Sequence, residues 1–355
     1  MLNIKIKHLT KHFFIGFFAL IATTGIAQET AQKSIFDVLH YQEVLPITIG
    51  ADFAALDTTR REEKKHPAKL TFEDETGDVQ DWNIKLEVRG NFRRLKCEMP
   101  PLKIHFKKKD LKAAGLAKFD DLKLVTHCVS SKSEAKALLQ KEYLAYRLYN
   151  EMTYISFRVQ LFKVTYVDSK TGKKTKHWAF AIEDTAELEH RIGATAKVEN
   201  HLNLPRDTFH DGMLKIVSLY QYMIGNADWD ISVGRNVKYF IKKGKVLPVP
   251  YDFDFSGLVN APYAIANPNY GISKVTDRIF IGFKEDATQL KSTLAFFKTK
   301  RLALLETIDD FKVIDEAKRE VAINYINSFY ATMDKIVVGE RVTKEAPEEE
   351  VVSLK

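Results

Sequence analysis

Cysteine is scarce in this 355-residue sequence, and several widespread functional motifs are absent from it. No segment matches G-x-G-x-x-G, H-E-x-x-H or G-x-S-x-G, so the sequence does not indicate a dinucleotide fold, a zinc-protease helix or a serine-hydrolase elbow. The segment TGKKT at 171–175 resembles the end of a phosphate-binding loop, but the upstream glycine is missing. We interpret it as a solvated hairpin tip.

The N-terminal region has the features of a secretory signal. A basic stretch with three lysines precedes an apolar run at 13–21, and Gly25 and Ala27 offer small residues before Gln28. We therefore expect a signal peptide at 1–27 and a protein that is periplasmic, extracellular or on the cell surface. No later apolar run has the length of a membrane span, so no transmembrane segment is expected after signal removal.

Charge and cysteine content constrain the partners and the redox chemistry. The full chain carries a net charge of +7, which falls when the lysine-containing signal is removed and does not indicate a nucleic-acid partner. Cys97 and Cys128 follow neighbouring predicted strands, so we expect them to lie close together. In an oxidising compartment they can form a disulfide, and two separately buried thiols are the alternative.

The periodicity of apolar residues predicts an α+β fold with two lobes. Alternating patterns before residue 130 predict strands, whereas 131–152 and 208–224 have helical spacing, the second helix ending at Gly225. Hairpins are expected around 168–172 and at Lys243–Gly244, and helices from 285 to 338. We thus predict a strand-rich N-lobe at 28–183, a mainly helical C-lobe at 184–340 and a disordered acidic tail at 341–355.

Acidic and amide side chains concentrate between residues 224 and 257. A tight hairpin would bring Asn236 and Asp252 together, with the loop of Asp228 at the same end. Asp252 and Asp254 would share one face of a strand, although a solvated edge strand would show the same alternation. Oxygen ligands of this kind suit Mg²⁺ or Mn²⁺.

Several segments together resemble the spore-coat-protein-H-like (CotH-type) kinase family, including its exported bacterial members. The resemblance covers about residues 80–265, and its specific parts are the segments NADWD and YDFDFSG. The other matching segments are VRGNFRR, PPLKIHF, LKLVTHC, LLQKEYLAYRLYNEM and HWAFAIED. The resemblance implies a two-lobed atypical protein-kinase-like fold and phosphate transfer from ATP to a protein hydroxyl.

The resemblance also implies roles for individual residues. Asp228 would be the catalytic aspartate, and Asn236 and Asp252 would bind metal with Asp254 beside them. Lys103 would hold the phosphates with Glu142 as its ion-pair partner, Lys123 being the rival lysine. The acceptor would be an unknown protein or surface component.

Three functional hypotheses remain open from the sequence. The first is an exported, metal-dependent phosphotransferase, which the set of Asp228, Asn236 and Asp252 favours. The second is a non-catalytic envelope protein that uses the fold as a binding scaffold, which export away from cytoplasmic ATP favours. The third is a metal-dependent hydrolase that uses the same carboxylates.

Overall fold

Seven strands close into a β-barrel in the computed structural model, which describes residues 32–198, 203–282 and 287–336. These barrel strands are β1 Val44–Ala51, β2 Lys65–Glu73, β3 Val79–Val88, β4 Leu102–His105, β5 Asp121–Val125, β6 Val159–Asp168 and β7 Lys174–Ile182. Their order around the barrel is β1-β2-β3-β4-β5-β7-β6. Neighbouring strands are antiparallel except for β1 and β6, whose parallel pairing closes the sheet.

Alternate side chains of the strands fill the barrel. In β1, Leu45, Ile47 and Ile49 are buried while their neighbours are more exposed. They join apolar residues of the other six strands in one core cluster, to which the first helix also contributes. The strands predicted before residue 130 are therefore confirmed.

The predicted two-lobed kinase-like fold is wrong. Its strand-rich half is a closed seven-stranded mixed barrel. The closing contact is the parallel pairing of β1 with β6, from Val44 opposite Leu161 to Ala51 opposite Asp168. Alternation within a strand shows which side chains face inward, but it carries no information on which distant strand will be its neighbour.

Helices and a second sheet make up most of the rest of the described chain. The second sheet has the order β10-β9-β8, with β8 Ala196–Lys197, β9 Val237–Lys242 and β10 Lys245–Pro250. The helices are α1 Ile35–Leu39, α2 Phe53–Thr58, α3 Phe92–Lys96, α4 Lys108–Ala113, α5 Lys132–Met152, α6 Thr185–Arg191, α7 Asp211–Met223, α8 Ala287–Asp310 and α9 Glu316–Ile336.

Helix α5 links the barrel to the C-terminal helices. Its first turn is capped by Ser131, whose side chain accepts a hydrogen bond from the backbone N–H of Glu134. Tyr143 packs against Phe180 of β7 on one side and against Phe311, which follows α8, on the other. Helical spacing predicted α5 correctly.

The predicted end of the second helix and both predicted hairpins also agree with the structure. Helix α7 ends just before Gly225, which has a φ of +64°. The two predicted hairpins are β6–β7 and β9–β10. The predicted signal peptide and acidic tail lie outside the described residues. None of the helices in the described ranges is long and apolar enough to cross a bilayer.

The two cysteines form a disulfide. Cys97 follows α3 and Cys128 follows β5, and their Cα atoms are 4.0 Å apart. The expectation that they lie close together is confirmed. The bond fixes the segment that carries α3 to the segment that leads from β5 into α5.

Candidate functional site

Three carboxylates converge beside the barrel. Glu142 projects from α5, and Asp252 and Asp254 follow β10; one oxygen of each lies within 4.8 Å of the others. Glu142 and Asp254 are buried. Oε1 of Glu142 and Oδ2 of Asp254 are buried and have no hydrogen-bond partner within the described chain. A bound cation would satisfy two such buried carboxylate oxygens.

A turn, not a strand, brings Asp252 and Asp254 together. Strand β10 ends at Pro250, and Asp252 has a φ of +65°, a conformation that aspartate adopts more readily than most residues. The Asp252 N–H donates a 2.8 Å hydrogen bond to the Tyr146 hydroxyl. Phe253 is fully buried against Tyr146. The predicted strand at 252–254 is wrong, because anchoring Phe253 turns both carboxylates toward Glu142.

Arg93 of α3 partly neutralises the three carboxylates. Its Nη1 is 2.9 Å from Glu142 Oε2 and 3.6 Å from Asp254 Oδ2, and its Nη2 donates to the Thr126 carbonyl at 3.1 Å. Burial raises the pKa of Glu142 and of Asp254, and the Asp252 charge raises both further while Arg93 opposes this. One guanidinium facing three carboxylates leaves room for additional positive charge.

Asp228 and Asn236 form the next part of the site. The Asn236 Nδ2 donates to the Asp228 carbonyl at 2.6 Å and to its Oδ2 at 3.1 Å. Asn236 has a φ of +55°, and its carbonyl accepts from the Tyr251 N–H at 3.0 Å. The β9–β10 hairpin therefore places Asn236 beside the segment that carries Asp252. Burial raises the pKa of Asp228, and the Asp252 charge adds to this rise.

Two lysines contact the ring of Tyr251, the residue before Asp252. The Nζ atoms of Lys123 and Lys238 lie 5.3 Å and 5.4 Å from the centroid of the Tyr251 ring. Burial lowers the pKa of Lys123 to about 7, and the charges of Arg89 and Lys238 lower it further. Lys123 donates to the Thr185 hydroxyl at 3.2 Å and makes no ion pair with a carboxylate of the described chain.

Lys103 and Glu142 do not pair with each other. Lys103 Nζ lies 2.5 Å from Asp121 Oδ2, and Glu142 takes Arg93 as its partner. Lys103 sits opposite Lys123 in the pairing of β4 with β5, and of the two lysines Lys123 is the one beside Tyr251. The rival lysine thus has the better position for an anion.

Sequence reasoning missed the roles of Arg93, Lys238 and Tyr251. Arg93 lies in the segment VRGNFRR, which entered the sequence analysis only as part of the family resemblance, and its partner Glu142 is 49 residues away. Lys238 pairs with Val249 on a hairpin that was predicted, and Tyr251 lies two residues beyond Val249, so strand register offered a signal for their proximity.

The donor set fits a divalent metal. Carboxylate oxygens are the ligands that Mg²⁺ and Mn²⁺ prefer, and Glu142, Asp252 and Asp254 would hold the ion. Asn236 could add its Oδ1, the atom through which an amide side chain binds such ions, while its Nδ2 donates to Asp228. Glu142 was expected as an ion-pair partner, and the structure places it among the candidate ligands instead.

No model of a known protein family matches the chain, and no curated protein matches it. The resemblance to the spore-coat-protein-H-like family stays a prediction, so function is argued from the geometry of the site.

Proposed function

We propose that the protein is an exported, divalent-metal-dependent phosphotransferase that moves a phosphoryl group from a nucleotide such as ATP to a hydroxyl of a protein or other surface component. One observation carries the proposal. The carboxylates of Glu142, Asp252 and Asp254 lie close together, and the cations of Lys123 and Lys238 contact the ring of Tyr251, the residue before Asp252. A metal–polyphosphate complex has this same pairing of charges, a cation beside several anionic oxygens.

Each part of the site has a role in such a transfer. Lys123 and Arg89 bind the phosphate oxygens, and burial of Lys123 makes an anionic partner more favourable than water. A bound Mg²⁺ or Mn²⁺ would supply charge neutralisation of the phosphates. Asp228 accepts the proton of the acceptor hydroxyl. At the same time the hydroxyl oxygen bonds to the γ-phosphorus and the nucleoside diphosphate leaves. Asn236 holds the Asp228 carboxylate in place through its 3.1 Å hydrogen bond.

Export is part of the proposal for two reasons. The N-terminal sequence has the pattern of a secretory signal, and the Cys97–Cys128 disulfide belongs to proteins of oxidising compartments. The nucleotide would then have to be available outside the cytoplasm.

A second candidate function is a binding scaffold without catalysis. Arg93 already pairs with Glu142 and approaches Asp254, as a guanidinium does in a purely structural buried ion network. In that case the network would fix the junction of α3, α5 and the turn after β10, and no metal or nucleotide would be needed.

Thermal unfolding with ATP and either MnCl₂ or MgCl₂ separates the two candidates. A ligand at about 100 times its dissociation constant raises the free energy of unfolding by about 2.7 kcal/mol. We expect this rise in the wild type and its loss in Asp252→Asn and in Lys123→Met. The control is Asp310→Asn, an exposed aspartate at the end of α8. No stabilisation by nucleotide with either metal, together with unfolding of Asp252→Asn, would establish the scaffold.

Transfer itself is tested with Asp228→Asn. Radiolabelled γ-phosphate should pass from ATP to acceptors in an envelope fraction of the native host. Because a general base contributes about 10²–10⁴-fold, Asp228→Asn should lose at least a hundredfold in transfer rate while it keeps its nucleotide stabilisation. Equal rates in the variant and the wild type would remove Asp228 from the mechanism.

A further inference from the structure

A mainly apolar cleft opens beside Asp228. Its volume is about 260 Å³, and the residues that line it with Asp228 include Phe255, Ile265, Pro268, Ile272 and Val275. The metal-binding carboxylates and the two lysines at Tyr251 do not line it. The carboxylate proposed to receive a proton therefore lies at the border between a charged site and an apolar one.

The apolar wall of the cleft continues onto the surface. Ile265 is 80% exposed, and Phe92, which is 43% exposed, packs edge-on against Phe255 with 5.5 Å between ring centroids. Tyr263 completes this aromatic group, at 5.8 Å from Phe255. Exposed large apolar side chains grouped at a cleft are typical of a binding surface.

The far wall of the cleft is held in place by the core. The Tyr325 hydroxyl of α9 donates to the Thr276 carbonyl at 3.1 Å, and it lies against the backbone of Gly225 and Gly257. Val275, next to Thr276, is thereby fixed opposite the loop that carries Asp228. A cleft with an anchored wall is preorganised for a ligand.

We infer that this cleft binds an apolar side chain adjacent to the acceptor hydroxyl residue of a polypeptide. The inference rests on the proposed function, since it places the hydroxyl at Asp228. With the hydroxyl at the Asp228 carboxylate, the neighbouring side chain of the acceptor polypeptide would enter the cleft that Ile265 and Ile272 line together with Asp228. The cleft has room for one leucine- or phenylalanine-sized group, which favours a peptide over an acyl chain.

Arg235 also lies beside Asp228. It is 51% exposed, and its Nη1 is 4.0 Å from Asp228 Oδ1. A basic residue next to the acceptor hydroxyl residue would therefore be disfavoured by like-charge repulsion.

Binding is tested without any transfer, on the full chain with ¹³C-labelled isoleucine methyl groups. Titration with N-acetyl-leucinamide should shift the Ile265 and Ile272 signals, whereas N-acetyl-aspartamide should not. Ile265→Asp should weaken this binding at least tenfold. Leu302→Asp, which alters a 67% exposed leucine of α8, is the matched control and should have no effect. Equal responses to both amides would overturn the inference.

Transfer gives the second readout. Peptides with leucine beside the serine should exceed matched aspartate peptides at least tenfold in kcat/KM, since one apolar group in a pocket typically discriminates 10–200-fold. Ile265→Asp should bring this ratio close to one and leave nucleotide stabilisation intact. Binding of the leucine amide without any transfer would defeat the proposed function and the acceptor role of the cleft, but it would leave the cleft a site for an apolar side chain. Transfer without the preference would defeat the inference alone. Methyl shifts with a short-chain lysolipid and none with the amides would also overturn it, in favour of a lipid acceptor.

Discussion

Burying the charge of Lys123 destabilises the ligand-free fold, and an anionic ligand would remove that destabilisation. The Lys123 Nζ contacts the rings of Tyr251 and Phe157 and the Thr185 hydroxyl. The charges of Arg89 and Lys238 act on it more strongly than the opposing charge of Asp184. A buried ammonium among other cations is destabilising unless an anion joins it. Keeping such a group in a fold is easier to understand if a phosphate binds there.

We predict that Lys123→Met stabilises the ligand-free protein in a pH-dependent way. The pKa of Lys123 is about 7 in the folded chain and 10.5 as its ordinary value. The unfolded state therefore binds more protons between these values, and wild-type stability rises with pH across that window. The gain from Lys123→Met should be on the order of 2 kcal/mol at pH 6 to 7 and should vanish by about pH 10.

Denaturant unfolding at several pH values measures this gain. Lys103→Met is the matched control, because Lys103 has Asp121 as its partner and its loss should give no gain at low pH. A Lys123→Met gain that is independent of pH would mean that the methionine merely packs better. In the wild type, nucleotide should bind more weakly as pH rises above 7, since a phosphate prefers the protonated lysine.

Arg93 has the opposite effect on stability. It is buried with Glu142 and lies 3.6 Å from Asp254. Removing one partner of a buried pair leaves an uncompensated charge, so Arg93→Met should lower the free energy of unfolding by about 3–5 kcal/mol. Adding Asp254→Asn should restore part of the loss. A double-mutant cycle by chemical denaturation measures the coupling, and additive effects would mean that the two side chains do not interact.

At the scale of elements, the end of α7 is fitted around Tyr325. Gly225 has a φ of +64°, and a Cβ there would overlap the Tyr325 hydroxyl oxygen. Gly225→Ala should thus combine left-handed strain with overpacking and cost about 2–4 kcal/mol. Gly115→Ala isolates the strain, because φ is +72° there and a Cβ would meet no atom within 4 Å. Its cost should be about 1–2 kcal/mol.

Thermal unfolding of both variants separates the cost of backbone strain from the cost of overpacking against Tyr325. Tyr325→Phe in the Gly225→Ala background should recover part of the loss, since only the ring carbon at 3.3 Å remains in the way. Equal losses for Gly225→Ala and Gly115→Ala would show that the chain moves aside and that the fit is loose. Because this loop leads directly to Asp228, the Gly225→Ala variant should also lose transfer activity.

The sequence predicted the individual helices and hairpins better than it predicted which distant strands pair. The period of α5, the glycine that ends α7 and both hairpins depend on residues close in sequence, and all were found. The closure of β1 on β6 depends on a pairing between Val44 and Leu161, which no local pattern encodes. The two-lobed prediction failed for that reason.

The same distinction applies to the site. Asp228, Asn236 and Asp252 lie within one stretch around a hairpin, so their grouping could be read from the sequence. Glu142 is joined to Asp252 and Asp254 only by tertiary structure, and Arg93 and Lys123 likewise come from distant elements. The turn at Asp252 positions the two aspartates. The sequence did not reveal this turn, because aspartates alternate with aromatic residues there in the pattern of a strand.

At the scale of the whole molecule, the site is assembled from both halves of the sequence. The barrel contributes Lys123 through β5, α5 contributes Glu142, and the β9–β10 hairpin places Asn236 and Asp252. Arg93 joins these parts, because its guanidinium reaches Glu142 and the Thr126 carbonyl at the end of β5. Stability of this junction and function of the site should therefore change together.

The disulfide offers the test of that coupling. Cys97 lies one residue after α3, which carries Arg93, and Cys128 lies two residues after Thr126; their separation in sequence is 31 residues. Closing a loop of that size stabilises a fold by about 3–4 kcal/mol in the chain-entropy account. Cys97→Ser with Cys128→Ser should thus lower Tm by about 5 °C. It should also weaken metal-dependent nucleotide stabilisation, because α3 is no longer fixed to the segment that leads from β5 into α5, the helix of Glu142.

Reductant should produce the same two losses in the wild type and change nothing further in the double variant. A lower Tm with undiminished nucleotide stabilisation would show that the ion pairs of Arg93 hold the site without the covalent bond.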